Sequence, residues 1–379
     1  MSRPRVTSGV AVAALATIAV SGHVVYPLWL MAATRRRPEP APPRPDEWPL
    51  LSVIVPAYRE AEVIAAKVTD VTGNGYPGAL EVIVVADDDE TAEVAGRTGV
   101  RVLTTTERGG KAFAMNRGAE AASGEVIVFT DANAFLDLGS LERLARWFAD
   151  PSVGAVAGEK RVGGESESIY WRFESHLKRR ENRLGSTIGL VGELAAVRRD
   201  RFRPLPAELA VDDMWLALDI LEQGARIVYE GSAIAREPVG GVDEVWERRT
   251  RVVSGTIDVI ARRRALLSRR HGAVAAQLWG HGLLRITFGP VAHVLLILAA
   301  VGASGRSRTA QGFLAGHLLT AVAVARQRRG AALTRPERLV AQVAFLQLVA
   351  LGGLARYLRG DRPRLWPKPA RGVSEASLR

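Results

Sequence analysis

Short apolar runs alternate with polar stretches in the first half of the chain. The runs LSVIVPA, LEVIVVA and EVIVFT occupy 51–57, 80–86 and 125–130, and their length and β-branched content predict buried strands. The polar stretches 60–70 and 111–122 have the length and composition of helices. Because strands alternate with helices, the pattern predicts an α/β fold with a parallel sheet covered by helices.

Longer runs without charge lie towards both ends of the chain. Residues 6–34 carry no formal charge and are followed at once by Arg35, Arg36 and Arg37. A cleaved signal peptide would have a shorter apolar core, of about 7–15 residues, so a retained transmembrane helix is the favoured interpretation. Three further runs are long enough to be membrane spans, and a shorter one at 273–284 is predicted to lie at the membrane interface. The three runs are 286–305, 309–325 and 339–355.

These patterns divide the chain into five segments. Because arginines follow the first span, the positive-inside tendency predicts that the next region is cytoplasmic, in a multi-pass protein of the cell membrane. Three C-terminal spans would place the end of the chain outside, whereas its basic residues favour the inside, so its side is open. The segments are an N-terminal transmembrane helix (6–34), a proline-rich linker (35–50), a cytosolic α/β domain (51–270), an interfacial helix with about three membrane segments (271–358) and a basic tail (359–379).

Composition narrows the class of protein. The 379 residues include no cysteine, which excludes disulfides, thiolate nucleophiles and cysteine-bearing zinc sites. The net charge is +11, but many arginines cluster beside apolar runs, where lipid headgroups are better partners than nucleic acid. No G-x-S-x-G elbow occurs, and no G-x-G-x-x-G follows the first strand. We therefore expect no nucleic-acid partner, no serine hydrolase with a G-x-S-x-G elbow and no dinucleotide oxidoreductase. A transporter is not expected either, because the predicted membrane segments hold few titratable residues.

Acidic residues follow the predicted strands, at the edge where α/β sheets bind ligands. Residues 87–89 are three aspartates, Asp131 and Asn133 form a D-x-N triplet, and Asp212 precedes Asp213. Carboxylates gathered at one edge repel one another unless a cation neutralises them, and oxygen ligands suit Mg²⁺ or Mn²⁺. An Asx turn for the triplet and helix caps for the other acids are the local alternatives. The neighbouring acids favour a metal-binding role for the triplet.

Two groups of basic residues have the chemistry to neutralise phosphate. A G-G-K tripeptide ending at Lys111 opens a predicted helix, although it lacks the spacing of a Walker loop. Arg248, Arg249 and Arg251 lie on a predicted helix that begins near Val242. A membrane-surface patch and a pyrophosphate site both fit these arginines, and the spacing leaves the choice open.

From residue 51 to the C-terminus, the order and spacing of these features resemble a membrane-bound family 2 glycosyltransferase of the GT-A fold. Related members include cellulose or hyaluronan synthase-like enzymes and glycolipid glycosyltransferases. Trp366 followed by Arg371 also resembles the ending of many membrane members. The motifs are VPAYRE (55–60), VVADDD (84–89), GGKAFAMNRGAEAASGEVIVFTDAN (109–133), GELAAVRR (192–199), VDD (211–213) and ERRTR (247–251).

The resemblance implies a fold and a set of roles. The fold would be a GT-A type, Rossmann-like, mostly parallel sheet with flanking helices and transmembrane helices at both ends. Asp213 would be the catalytic base of a single inverting displacement, with Asp212 as a like-charged neighbour that raises its pKa. Asp131 and Asn133 would hold Mg²⁺ or Mn²⁺. The residues assigned to the nucleotide-sugar donor are Ala57, Tyr58, Glu60, Asp87, Lys111, Asp131, Arg248, Arg249 and Arg251.

Three positions depart from the family pattern. Asn133 replaces the second aspartate of the usual D-x-D, which predicts weaker metal binding. Arg59 stands where asparagine is usual. Polymerising relatives carry Q-x-x-R-W, whereas Val252 occupies the tryptophan position here, which disfavours processive synthesis.

The expected function is an inverting, metal-dependent glycosyltransferase that moves a sugar from a nucleotide-sugar donor to a membrane-associated acceptor. The acceptor would be a lipid or a growing glycan, in contact with membrane lipids, and Val252 favours single transfer to a lipid. The alternative is a non-catalytic nucleotide-sugar-binding membrane protein that acts as a sensor or scaffold. Retention of Asp87, Asp131 and Asp213 speaks against that alternative.

Overall fold

The computed structural model describes residues 4–105, 109–162, 165–237 and 242–361. These residues form two compact units, described separately below. One unit comprises the described residues of Met1–Ala32, Val242–Asp258 and Leu267–Asp361, and the other those of Ala33–Gly241 and Val259–Leu266. Trp366 and Arg371, with most of the predicted basic tail, lie outside the described residues.

The unit built on Ala33–Gly241 is centred on one mixed sheet of eight strands, in the order β3-β2-β1-β4-β7-β6-β8-β5. The pairs β1/β2, β1/β4, β2/β3 and β6/β8 are parallel, and the remaining pairs are antiparallel. This arrangement confirms the predicted α/β fold. The strands are β1 (Leu51–Ala57), β2 (Leu80–Ala86), β3 (Arg101–Thr104), β4 (Val126–Phe129), β5 (Phe135–Leu136), β6 (Val153–Val162), β7 (Ala195–Arg198) and β8 (Arg226–Glu237).

The helices lie in the segments between the strands and in the apolar runs near both ends of the chain. The two π-helical segments are Ser21–Val25 and Leu278–Phe288, and the short 3₁₀ turns are Arg146–Ala149, Arg199–Arg201, Arg264–Leu267 and Arg269–His271. The α-helices are α1 (Pro4–Val20), α2 (Tyr26–Thr34), α3 (Ala61–Thr72), α4 (Asp89–Gly96), α5 (Gly110–Ala121), α6 (Ser140–Ala145), α7 (Glu165–Arg183), α8 (Asp212–Glu222), α9 (Val242–Arg262), α10 (Gly272–Gln277), α11 (Gly289–Ala303), α12 (Arg308–Arg328) and α13 (Arg335–Leu358).

The central strands are buried on both faces, which explains their continuous apolar sequence. Val53, Ile54 and Val55 of β1 are fully buried, and Ile64 and Val71 of α3 are fully buried too. A strand covered by helices on both faces needs apolar side chains at consecutive positions, and not only at alternate ones. The predicted bounds of β1 and β2 agree with the structure, and β4 is shorter than its predicted run by one residue at each end.

Asp88 ties the end of β2 to the turn after β1. Its carboxylate accepts hydrogen bonds from the Thr91 backbone N–H at 2.9 Å and from the Thr91 hydroxyl at 2.8 Å. Asp88 therefore caps α4, which is one of the two roles that the sequence suggested for residues 87–89. The same carboxylate accepts the backbone N–H of Arg59 at 2.5 Å. The Glu60 backbone N–H donates to the Thr91 hydroxyl at 2.9 Å. The two loops at this sheet edge are therefore held together.

Arg59 has a left-handed backbone conformation, with φ of 53°, the only positive φ outside glycine among the described residues. Asparagine tolerates this region better than arginine. We therefore expect Arg59→Asn to raise the free energy of unfolding by about 0.5–1 kcal/mol and the Tm by about 1–3 °C. Thermal melting in detergent measures the change, with Arg97→Asn as a control because Arg97 has φ of −70°. An unchanged or lower Tm for Arg59→Asn would show that the arginine side chain compensates for the strain.

The other unit holds three helices that are long and apolar enough to cross a membrane, among the described residues. They are Gly9–Thr34, Arg269–Ala303 and Arg335–Leu358, and they indicate a membrane protein. The last two residues of the first helix, Ala33 and Thr34, belong to the sheet unit. The run 273–284, predicted to be interfacial, lies within the second of these helices. The predicted span 309–325 lies in α12, which is not among these three helices. His293 and His317 join α11 to α12 through ring nitrogens 2.9 Å apart.

Candidate functional site

The predicted acidic residues meet at one edge of the sheet. β1, β2 and β4 are mutually parallel neighbours, so the residues that follow them share the carboxyl edge. Asp131 follows β4 after one intervening residue, and Asp212 and Asp213 are the first two residues of α8. This is the edge at which open α/β sheets bind ligands.

Lys111 bridges the carboxylates of two of these elements. Its Nζ lies 2.6 Å from Asp131 Oδ1 and 3.5 Å from Asp212 Oδ2. Gly110 before it has φ of 77°, a conformation open to glycine, which lets the chain turn into α5 with the lysine in the first turn. Burial opposes the lysine's charge, but the two carboxylates outweigh it and raise the pKa of Lys111 far above its usual range. The lysine therefore stays a cation at the centre of the site.

Asp131 and Asp213 both hold their protons more tightly than ordinary carboxyl groups. Burial raises the pKa of Asp131 to about 6, although the ammonium of Lys111 opposes the change. Burial and the neighbouring charge of Asp212 raise the pKa of Asp213 to about 7. The backbone N–H of Met214 donates to Asp213 Oδ1 at 2.7 Å. A carboxylate with a pKa near neutrality is suited to accept a proton at physiological pH.

Gly192 brings the backbone close to both charged groups. Its carbonyl oxygen lies 3.5 Å from Lys111 Nζ. A Cβ placed on Gly192 would lie 3.4 Å from Lys111 Nζ and 3.7 Å from Asp213 Oδ2. The lack of a side chain at this position leaves room beside Asp213 and Lys111.

Glu193 adds a further, half-buried carboxylate beside the same site. Lys160, which is 3% exposed, forms ion pairs with both Glu193 and Glu237. Burial alone would raise the pKa of Glu193, but Lys160 lowers it to about 2, so Glu193 stays ionised. The negative charge of Glu193 is one of the influences that raise the pKa of Asp213. The Thr130 hydroxyl donates to the Glu193 carbonyl at 2.9 Å, which links this group to the end of β4.

The residues predicted to contact the nucleotide also lie together. The Asp87 backbone N–H donates to the Ala57 carbonyl at 2.9 Å, which joins the ends of β2 and β1. The Thr105 hydroxyl donates to the Asp87 carboxylate. The guanidinium carbon of Arg59 lies 5.3 Å from the centroid of the Tyr58 ring. The nucleotide role of Ala57, Tyr58, Glu60 and Asp87 stays a prediction.

The D-x-N triplet forms a turn, in which the Ala134 backbone N–H donates to the Asp131 carbonyl at 3.1 Å. The fully buried ammonium of Lys67 donates to the Ala134 carbonyl and lies 3.2 Å from the carboxylate of Asp70. Burial lowers the pKa of Lys67 to about 8. The turn that presents Asp131 and Asn133 is thus supported from below by a buried cation.

The donor set at this turn fits a divalent ion completed by a substrate. Among the described residues, no group of three or more His, Cys, Asp or Glu side chains is arranged to hold a metal by itself. Mg²⁺ is commonly held by one or two carboxylates together with substrate phosphates. Asp212 Oδ2 is buried and accepts no hydrogen bond among the described residues, and the Lys111 ammonium 3.5 Å away is shared with Asp131. The metal role of Asp131 and Asn133 stays a prediction.

The predicted arginine cluster lies in the other compact unit. Arg248, Arg249 and Arg251 are on α9, and Arg251 is 7% exposed. Val252, at the position of the missing tryptophan, is 40% exposed. The diphosphate role of the three arginines stays a prediction.

Comparison with known proteins identifies a family domain within the sheet unit. Residues 52–205 match the profile of Glycosyl transferase family 2. The chain carries a family 2 glycosyltransferase domain. The match covers β1 to the segment after β7, including Lys111, Asp131 and Asn133, and ends before Asp212 and Asp213.

Curated relatives of this glycosyltransferase domain share about a quarter of their residues with it. An N-acetylglucosaminyltransferase of Rhizobium sp. (strain N33) is 26% identical over 219 residues, which are 50% of this chain and 48% of the relative. A poly-beta-1,6-N-acetyl-D-glucosamine synthase of Staphylococcus aureus (strain COL) is 24% identical over 238 residues, 57% of each chain. The chain therefore spans about half the length of the curated relatives it matches.

A solved structure resembles this chain over nearly its whole length. The mannosyltransferase PcManGT from Pyrobaculum calidifontis, in complex with GDP-Man and Mn²⁺, superposes with a TM-score of 0.76 at 25% identity. The superposition covers 93% of this chain and 99% of that one. This likeness confirms the predicted GT-A fold.

Sequence reasoning missed part of the site. Glu193 lies in the GELAAVRR motif, but no role was predicted for it, and Lys160 and Lys67 stand outside the motifs. The signal available was the scarcity of lysine in a chain whose basic residues are nearly all arginine. Of the five lysines, Lys111 and Lys160 pair with carboxylates of this site, and Lys67 supports the turn after Asp131.

Proposed function

We propose that the chain is an inverting glycosyltransferase that moves a sugar from a nucleotide-sugar donor to an acceptor at the membrane. The observation that carries the proposal is Asp213. It is a half-buried carboxyl group whose pKa is raised to about 7 by burial and by the charge of the neighbouring Asp212. A Cβ placed on Gly192 would lie 3.7 Å from its Oδ2 and 3.4 Å from Lys111 Nζ. Such a carboxyl group can remove a proton from an acceptor hydroxyl, while Lys111 can receive negative charge that develops on a donor.

The proposed reaction is a single displacement at the anomeric carbon. The acceptor oxygen forms the new glycosidic bond, its proton passes to Asp213, and the bond to the diphosphate breaks with its electron pair on the phosphate oxygen. Because the nucleophile and leaving group occupy opposite faces, the configuration inverts. Lys111 would exchange its contact with Asp131 for the diphosphate, with further charge neutralised by Arg248, Arg249 and Arg251.

A divalent ion held by Asp131 and Asn133 would neutralise charge on the donor diphosphate. The presence of Mn²⁺ with GDP-Man in the mannosyltransferase of similar fold supports this role. The single carboxylate of the triplet and its position beside Lys111 support a site completed by the donor and not by the protein alone. Asn133 contributes a neutral oxygen, which predicts weaker binding than a second aspartate would give.

We infer a membrane-bound acceptor and a cytoplasmic catalytic domain in a multi-pass protein. The three apolar helices support the anchor, and Arg35, Arg36 and Arg37 after the first of them support the cytoplasmic side. Single transfer to a lipid is favoured over chain extension because Val252 replaces the tryptophan of polymerising relatives. The mannosyltransferase of similar fold and the acetylglucosaminyltransferase relatives support a hexose or hexosamine as the transferred sugar.

A thermal-shift screen of the detergent-purified full chain tests donor binding. UDP-, GDP- and dTDP-sugars are each added with Mn²⁺, with Mg²⁺ or with chelator, because a ligand of the folded state raises Tm by mass action. A metal-dependent shift with one nucleotide class, followed by sugar transfer in a membrane extract, is the expected result. Binding without transfer to any membrane acceptor would favour the sensor or scaffold, and the absence of any shift would contradict a nucleotide-sugar site.

Removal of the Asp131 carboxylate should abolish the metal dependence of this shift. We expect Asp131→Ala to retain the fold and to lose most of the metal-dependent rise in Tm at a fixed donor concentration, because the triplet loses its only charged ligand. Asp200→Ala is the matched control, since Asp200 is an exposed aspartate in the turn Arg199–Arg201. Equal metal-dependent shifts in both variants would rule out the assigned metal ligand.

A further inference from the structure

One face of α7 is exposed and basic along its described length. Of the side chains from Trp171 to Arg183, the exposed ones are Arg172, His176 and Arg179, spaced so that they lie on one side of the helix. The acids Glu174 and Glu181 are buried on the opposite side. The exposed side therefore carries two arginine cations with no exposed acid between them. His176 adds little positive charge at neutral pH, because burial and nearby arginines lower its pKa below the usual range.

The same helix is bonded to the end of the first apolar helix. Arg180 Nη1 donates to Thr34 Oγ1 at 3.2 Å, and Arg183 lies 3.2 Å from the carboxylate of Glu39. Thr34 is the last residue of the membrane-length helix Gly9–Thr34. A residue that ends a membrane span lies near the headgroup layer, and a helix hydrogen-bonded to it is within reach of that layer.

More positive charge follows Thr34 in the chain. Arg35, Arg36 and Arg37 are all exposed. Together with Arg172, His176 and Arg179 they form what we call the α7 basic surface. Its charge and its position at the end of a membrane span match an array of anionic lipid headgroups, which attracts clusters of basic residues beside a transmembrane helix. A soluble polyanion matches the charge but not the position.

We propose that the α7 basic surface rests on anionic phospholipid headgroups and holds the glycosyltransferase domain against the bilayer. The other side of α7 faces the sheet near the candidate site. The Ser175 hydroxyl donates to Glu159 Oε1 at 2.6 Å, and the Trp171 ring centroid lies 5.2 Å from Lys160 Nζ. One helix thus carries both the lipid-facing surface and a contact to the buried ion pairs behind Asp213.

The absence of cysteine from the chain allows a direct test. His176→Cys gives one labelling site for an environment-sensitive fluorophore in the full-length protein, and Glu120→Cys, at an exposed position on α5, gives the control site. The proteins are placed in nanodiscs of phosphatidylcholine alone or mixed with phosphatidylglycerol, each doped with headgroup-spin-labelled lipid. We expect strong quenching at position 176, strongest with phosphatidylglycerol, and weak quenching at position 120.

Charge reversal separates a lipid contact from simple proximity. Arg172→Glu/Arg179→Glu, combined with His176→Cys, should lower the quenching at position 176 towards that of the control site, as should high salt. Arg97→Glu/Arg117→Glu changes by the same total charge two exposed arginines, one directly after α4 and one on α5, and should leave the quenching unchanged. Quenching at position 176 no stronger than at 120, or indifferent to phosphatidylglycerol and to Arg172 and Arg179, would overturn the proposal. These measurements need no sugar transfer, so their outcome is independent of the proposed enzymatic function.

Discussion

Asp213→Asn is expected to lower the rate of sugar transfer by about 10²- to 10⁴-fold while leaving donor binding nearly unchanged. Asparagine has almost the same shape as aspartate, and its carbonyl can still accept the Met214 N–H bond that Asp213 Oδ1 accepts at 2.7 Å. Only the capacity to take the acceptor's proton is lost. Initial rates of transfer give the first quantity, and the donor-induced rise in Tm gives the second.

The pH dependence of the wild-type enzyme provides an independent check on the base. The acid limb of kcat/KM reports the pKa of a base in the free enzyme, and burial with the charge of Asp212 holds the pKa of Asp213 near 7. Since Asp213 must be ionised to act, kcat/KM should rise as pH increases through about 7 and level off above it. In Asp213→Asn the residual rate should lack this limb. A variant that keeps both the rate and the limb would remove Asp213 from the role of base.

The parts of the fold that depend on local sequence were predictable. β1 and β2 have continuous apolar sequences because helices cover both faces of the sheet, and their bounds follow from the sequence alone. The carboxyl edge was predictable for the same reason, since parallel strands deliver their following residues to one side. The antiparallel strand β7 between β4 and β6 was not, because a four-residue strand gives little local signal and its pairing depends on partners distant in the chain.

Part of the candidate site was predictable from the sequence, but its contacts were not. Asp131 and Lys111 were both predicted as donor-site residues, whereas only the folded chain shows the 2.6 Å contact between them. Lys160 lies within β6, a strand that was not predicted from the sequence. Its burial between two carboxylates is a property of the tertiary fold, and no spacing of residues along the chain specifies it.

Lys160→Met is expected to destabilise the glycosyltransferase domain by about 3–5 kcal/mol. Lys160 is 3% exposed, and its ammonium is paired with Glu193 and Glu237, whose side chains are 15% and 9% exposed. Methionine can fill the space beside Trp171, so the main loss is the charge. Two carboxylates would remain buried without their cation, and they would repel each other. The predicted fall in Tm is on the order of 10 °C, measured by thermal melting of the full chain in detergent.

Neutralising the partners separates the charge effect from packing. In Lys160→Met combined with Glu193→Gln and Glu237→Gln, no buried charge is left unpaired, and amides of similar volume replace the carboxylates. We expect the triple variant to recover most of the fall in Tm. Replacing a whole buried ion pair by neutral groups of the same shape changes the stability little, whereas a buried charge without its partner lowers it strongly. If the triple variant melts as low as Lys160→Met, the lysine stabilises the fold through its packing, and the cluster behind Asp213 does not depend on charge balance.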